Sequence, residues 1–156
     1  MWPFSSKTSA PPPTADPDDW TLGEGERDGF PMILRLDNQF KRRAPLPEYK
    51  HHVILSVHLR DPSPNGFPST EEGDDLHALE ENLCKELEAG KESVCVLVVT
   101  NNGLRDFIFY TRNAESAHER IKTVIAGGTG FVIEIAIEPD SEWYIYKHFC
   151  DSLTSH

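Results

Sequence analysis

Apolar positions along the chain recur with two different periods, and each period marks its own elements. Ser93 to Thr111 (SVCVLVVTNNGLRDFIFYT) is the stretch around which the rest is arranged. Two runs rich in β-branched and aromatic residues flank Asn102-Gly103, the strongest short-range hairpin signal, because a type I′ turn needs positive φ at both central positions. Val94, Val96 and Val98 alternate with Cys95, Leu97 and Val99, so this strand is apolar on both faces and is expected to be covered on both. His52 to Arg60 alternates with Val53, Leu55, Val57 and Leu59 on one face and Ile54, Ser56 and His58 on the other. Phe131, Ile133, Ile135 and Ile137 alternate in the same way with Val132, Glu134, Ala136 and Glu138. Trp20 to Glu24 and Phe30 to Asp37 predict a further strand pair turned at Asp28-Gly29.

The helical period appears in three places. Leu76, Leu79, Leu83 and Leu87 form a stripe on a helix opened by the Ser69/Glu72 capping box, running to about Ala89 and stopped by Gly90. Asn113 is the N-cap of a helix from Ala114 to Ala126, with Ala117, Ile121, Val124 and Ile125 on one face. Ser141 to about Leu153 reads as a short amphipathic helix that carries Trp143, Tyr146 and Phe149 along one side as docking anchors. Gly127, Gly128 and Gly130 follow a helix and precede a strand, the reverse of a phosphate-cradling loop, and read as a helix stop.

After residue 50 the order is β-α-β-β-α-β, which predicts the α+β class and a ferredoxin-like sandwich with an N-terminal β-hairpin and a short C-terminal helix. In that topology the strand Val94 to Val99 lies at a sheet edge although both its faces are apolar. The N-terminal hairpin is therefore expected to extend or cover the sheet there. One domain is expected over 19–153. Residues 1–18, rich in Pro, Ser and Thr and containing Pro11-Pro12-Pro13, read as a disordered tail.

Charge narrows the partners. The chain has a formal net charge of −11 over 156 residues. Such a surface repels phosphate backbones and anionic lipid, which argues against nucleic acid and membrane; a solvated acidic surface is its commoner explanation, and a protein with a basic surface is the partner it could take. GLRDFIFY resembles in outline the RNA-recognition signature. Asn102 stands where that signature opens on a basic residue, however, and Asp106 replaces a small one, so RNA binding is set aside. Lys41-Arg42-Arg43, the only basic cluster, reads as a solvated loop. Cys84, Cys95 and Cys150 are an odd number without CxxC spacing, which fits free thiols in a reducing compartment. No apolar run is long enough for a leader or a membrane span, and a cytoplasmic location is expected.

Candidate chemistry is sparse. Glu71, Glu72, Asp74 and Asp75, with His77 nearby, complement a helix dipole and need no metal. With Phe107 and Phe109 turned inward, the sheet face free of helices offers Ser56, His58, Asp106, Ile108, Tyr110 and Glu134. His58 and Glu134 fall on neighbouring strands, so a His–carboxylate pair is geometrically available. No serine sits on a nucleophile elbow. The candidate binding residues are His58, Asp106, Tyr110, Glu134 and Trp143. No catalytic residue, metal or cofactor is expected.

Three stretches, TNNGLRDFIFYT (Thr100 to Thr111), EEGDDLHALEENL, and EPDSEWYIYKHF with Asp140, Trp143 and Tyr146, together resemble the bacterial family of unknown function numbered 695 over about Asp19 to Phe149. That resemblance implies a ferredoxin-like fold similar to the protein B type regulators of ribonuclease E activity, and it hands over no catalytic residue. Cys150-Asp151-Ser152 departs from the Leu-Tyr-Pro ending of that family. Two functions follow as expectations. One is a non-catalytic cytosolic interaction or regulatory domain. The other is a small-molecule binder or enzyme using the helix-free sheet face around His58, Tyr110 and Glu134.

Overall fold

The computed structural model describes residues 20–154; the tail expected over residues 1–18 lies outside them. Its order is β1 (Trp20–Arg27), β2 (Phe30–Asp37), β3 (His51–His58), α1 (Thr70–Leu87), β4 (Ser93–Asn101), β5 (Leu104–Thr111), α2 (Ala114–Ala126), β6 (Val132–Pro139) and α3 (Tyr144–Thr154). The strands form one six-stranded sheet, ordered β1-β2-β4-β5-β3-β6, and every neighbouring pair is antiparallel. The chain is thus of the α+β class.

Both short turns are dictated by their sequence. Asn102 and Gly103 sit at φ 49° and 80°, and Asp28 and Gly29 at φ 56° and 83°, the positive values a primed turn demands. The N-terminal hairpin extends the sheet, since Leu34 and Leu36 of β2 lie opposite Val99 and Leu97 of β4. This places β4 inside the sheet rather than at its edge and accounts for its two apolar faces. Between Cys95 and Leu97 a bulge shifts the register against β5. Val96 is thereby turned into the same core as Leu97 and Val99.

The two sheet faces carry separate cores. On one, Val53, Leu55, Val57, Phe107 and Phe109 pack under the leucine stripe of α1 and under Ala117, Ile121 and Val124 of α2. Ser69 caps α1 by accepting from the Glu72 amide. The Glu72 carboxylate does not complete a capping box. It is buried and accepts from the amides of Arg60 and Asp61, fastening α1 to the segment that follows β3.

The other face was expected to be free of helices, and here the structure corrects the reading. Met32, Leu34, Leu36, Leu97, Val99, Ile108 and Tyr110 are buried under Phe40, Trp143, Tyr146 and Leu153. A chain of this size minimises exposed apolar sheet, and β2 and β4 supply too much of it on this side to leave open. The cover consists of α3 and the connection from β2 to β3. It stops short of the end of the sheet where β3 finishes, and along β6 it leaves Glu134, Ala136 and Glu138 exposed.

Candidate functional site

Asp140 holds α3 in place. Its backbone amide donates to the Lys50 carbonyl at 2.8 Å, and its Oδ1 accepts from the Tyr144 amide at 2.8 Å in the manner of an N-cap. Oδ2 accepts the Tyr110 hydroxyl at 2.7 Å and faces His52 Nδ1 at 3.2 Å. Trp143 lies just before α3 rather than on it, in the left-handed region at φ 59°. That backbone turns its indole flat onto Tyr110, with 4.0 Å between centroids and 8° between planes. The indole N–H donates to the Tyr49 carbonyl at 2.9 Å, and the Tyr146 hydroxyl donates to the Asp37 carbonyl at 2.6 Å.

This network is a lock. Burial pushes Asp140 up, but the Tyr110 hydroxyl, the Tyr144 amide and His52 outweigh it and hold the carboxyl below its ordinary value. Tyr110 is pushed far up, first by burial and then by its bond to Asp140. Neither group is poised to exchange a proton near neutral pH, and Tyr110, Trp143 and Asp140 are all buried. Two of the candidate binding residues, Tyr110 and Trp143, therefore belong to the interior, because a stacked aromatic pair under a helix has no surface left to offer.

The remaining three share the open end of the sheet. Ser56 lies opposite Asp106 on β5 and Glu134 on β6, and His58 lies opposite Leu104 and Val132. His58 Nε2 bonds Glu134 Oε2, with 44% and 70% of the two side chains exposed. Burial raises the Asp106 pKa, with Ser56, Arg27 and His58 nearby acting the other way. Asp106 Oδ1 is buried with no hydrogen-bond partner. His58 is bonded to Glu134 rather than to Ser56, so no nucleophile–base pair is assembled here. Among the described residues no three His, Cys, Asp or Glu side chains gather closely enough to hold a metal ion. No helix among them is long and apolar enough to cross a membrane.

The stretches from Thr100 to Thr111 and from Glu138 to Phe149 thus turn out to be the two halves of one lock, carrying Tyr110 on one side and Asp140, Trp143 and Tyr146 on the other. A family model that runs over residues 18–150 takes in all of it. The chain belongs to DUF695, a family of unknown function. Comparison with curated proteins and with solved structures gives no match. Membership in DUF695 assigns no role to a residue, so the roles here rest on geometry.

His52 is the lock residue that the sequence reading passed over. Its signal was present, because the alternation of β3 places it on the face of Ser56 and the register sets it opposite Tyr110. What the sequence does not show is Asp140 folding back over that pair.

Proposed function

We propose that this DUF695 chain is a non-catalytic protein-interaction domain with a regulatory role, and that its binding element is the outer edge of β6. The observation that carries this reading is the position of β6 at the end of the sheet with no strand beyond it among the described residues. The other end strand, β1, contains Gly23 and Gly25 and is studded with Glu24, Glu26 and Arg27, which discourages pairing. β6 has no glycine, its proline is its last residue, and its charges, Glu134 and Glu138, are both acidic. Ile133, Ile135 and Ile137 are only half-buried, Val132 is 69% exposed, and Glu134 and Glu138 point outward between them. An added strand would meet apolar side chains on one face and carboxylates on the other. The partner that fits is an extended segment that alternates apolar residues with lysine or arginine. Occupying such a basic segment would be the means of regulation, in keeping with the resemblance to the ribonuclease regulators. The order β4-β5-β3-β6, with α1 and α2 on one face, supports reading this part of the fold as ferredoxin-like.

Panning a display library of random short peptides against the full chain tests the reading. Enriched peptides should alternate apolar and basic residues and slow hydrogen exchange along β6. Glu134→Lys/Glu138→Lys, a double charge reversal at exposed positions, should abolish their binding without lowering the melting temperature. Binders indifferent to the reversal, or no binders at all, would sink it.

One observation favours a second reading, a small-molecule binder on the open end of the sheet. Asp106 Oδ1 is left without a hydrogen-bond donor, on the sheet face that also carries Ser56, His58 and Glu134. Native mass spectrometry of the purified chain and of Asp106→Asn would show a retained ligand in the first and none in the second.

A further inference from the structure

At the opposite ends of β3 and β5 from His58 lies a groove of about 500 Å³, lined by Arg43, Leu46, Pro47, Glu48, Tyr49, Lys91 and Arg112. In a chain whose formal net charge is −11, this lining brings together two arginines and a lysine with a single glutamate. The concentration of positive charge is local and runs against the field of the whole molecule.

The groove is built on the lock. Trp143 donates to the Tyr49 carbonyl, which fixes the backbone of the groove wall. The Tyr49 hydroxyl donates to the Lys91 carbonyl at 2.6 Å, tying the β2–β3 connection to the turn before β4, where Lys91 itself takes φ 57°. The Arg112 guanidinium lies 5.9 Å from the centre of the Tyr49 ring, and that of Arg43 lies 5.8 Å from the centre of the Phe40 ring. Both cations are thus steadied by aromatic faces whose own positions are set by the core. Neither is consumed by a strong ion pair. Arg112 has only a 3.6 Å approach to Glu48, with both side chains largely exposed.

We propose that this groove binds a small-molecule phosphomonoester. Guanidinium groups match the planar, multiple acceptors of a phosphate, and a lysine adds a point charge. Three cations less Glu48 leave a surplus of two charges (3 − 1 = 2), which a phosphate dianion neutralises and a single carboxylate does not. Leu46, Pro47 and the Tyr49 ring supply an apolar wall for the organic body of the ester. The volume lies within the range of small-ligand sites, roughly 300–1,000 Å³. The site is independent of the β6 edge and of the reading built on it.

Isothermal titration calorimetry on the full chain, in phosphate-free buffer of low ionic strength, tests the proposal with phenyl phosphate, inorganic phosphate and benzoate as probes. Phenyl phosphate should bind saturably and most tightly, inorganic phosphate more weakly, and benzoate weakest. Arg43→Gln and Arg112→Gln should each weaken phenyl phosphate by about tenfold, the scale of a lost charge-assisted contact. Glu48→Gln should tighten it, a gain that no loss of folding can imitate. Lys91→Gln, at another exposed position, gives a further weakened variant should either arginine change disturb the fold. Absence of saturable binding, benzoate binding as tightly as phenyl phosphate, or affinity unmoved by Glu48→Gln and the arginine variants overturns the proposal.

Discussion

The indole of Trp143 lies parallel on the phenol of Tyr110, 4.0 Å between ring centres, although the two residues stand 33 positions apart (143 − 110). The stack is what turns α3 from a short terminal helix into the lid of a second core. An eleven-residue helix is marginal alone in water, so its order derives from what it covers. Phe40 packs tilted against the same indole at 5.6 Å and Tyr146 edge-on at 5.8 Å.

Trp143→Ala should therefore destabilise the protein by about 3–5 kcal/mol, the range for truncating a buried large aromatic. The change also strands the Tyr49 carbonyl that the indole satisfies. Because position 143 has φ 59°, Trp143→Gly should recover roughly 1 kcal/mol relative to alanine by relieving left-handed strain. Urea melts of the two variants beside the parent check both the size of the loss and its order. A glycine variant less stable than the alanine variant would show that the backbone there is unstrained.

Asp140 should make its contribution depend on pH with a definite sign. Its carboxyl is held below its ordinary value in the folded protein, so the native state binds fewer protons than the unfolded chain at low pH. The stability it supplies is present above the unfolded value, about 3.9, and is lost as pH falls through the lower folded value. Asp140→Asn keeps an N-cap but loses the charge that accepts from Tyr110 and faces His52. At pH 7 the variant should be less stable by about 1–3 kcal/mol. Denaturation midpoints from pH 7 down to pH 2 should converge for the two proteins at the acid end.

Glycine at 66 and glycine at 29 share nearly the same backbone angle, φ 85° and 83°, yet should respond differently to alanine. A Cβ on Gly29 meets open space, whereas one on Gly66 lies 2.7 Å from Asn102 Cα and 2.9 Å from the Gly103 amide nitrogen. The Gly103 amide donates to the Gly66 carbonyl at 3.0 Å, so the loop after β3 is laid against the tip of the β4–β5 hairpin. Gly29→Ala should cost about 1 kcal/mol, and Gly66→Ala at least about 2–3 kcal/mol, since strain and a backbone clash add. Thermal melts of the pair would settle the comparison, and equal costs would count against the close approach.

Periodicity made most of one core legible. The face of Val53, Leu55 and Val57 and the stripe of Leu76, Leu79 and Leu83 announce themselves because a strand and a helix each bury one side. The second core was half legible. The two apolar faces of β4 demanded a cover, but the period of Trp143, Tyr146 and Phe149 suggested one continuous helical face, and the structure breaks it at a left-handed Trp143. Nothing in residue spacing signals that a bulky aromatic will take positive φ. The same limit applies to the candidate sites. The pairing of His58 with Glu134 follows from strand alternation, whereas the meeting of Arg43 with Lys91 and Arg112 joins three loops and has no periodic signature.

The last prediction concerns Asp106, where stability and binding pull in opposite directions. Burial raises its carboxyl pKa, and neither the Ser56 hydroxyl nor the nearby Arg27 and His58 fully offset the cost. One of its oxygens is buried with no partner. With a folded value above the unfolded one, the native state binds more protons between the two, so stability falls as pH rises through that window. Below the unfolded value, about 3.9, the carboxyl is neutral in both states and the penalty vanishes. Asp106→Asn keeps the shape and removes the charge, and should therefore raise the denaturation midpoint at pH 7 while leaving it unchanged at pH 3. A residue kept for packing alone would have no reason to carry that cost, whereas one that receives a hydrogen-bond donor from a ligand would. Melts at the two pH values measure the penalty directly. A variant less stable than the parent at pH 7 would mean that Ser56 and Arg27 satisfy the carboxylate, and the argument for a ligand at the open end of the sheet would fall with it.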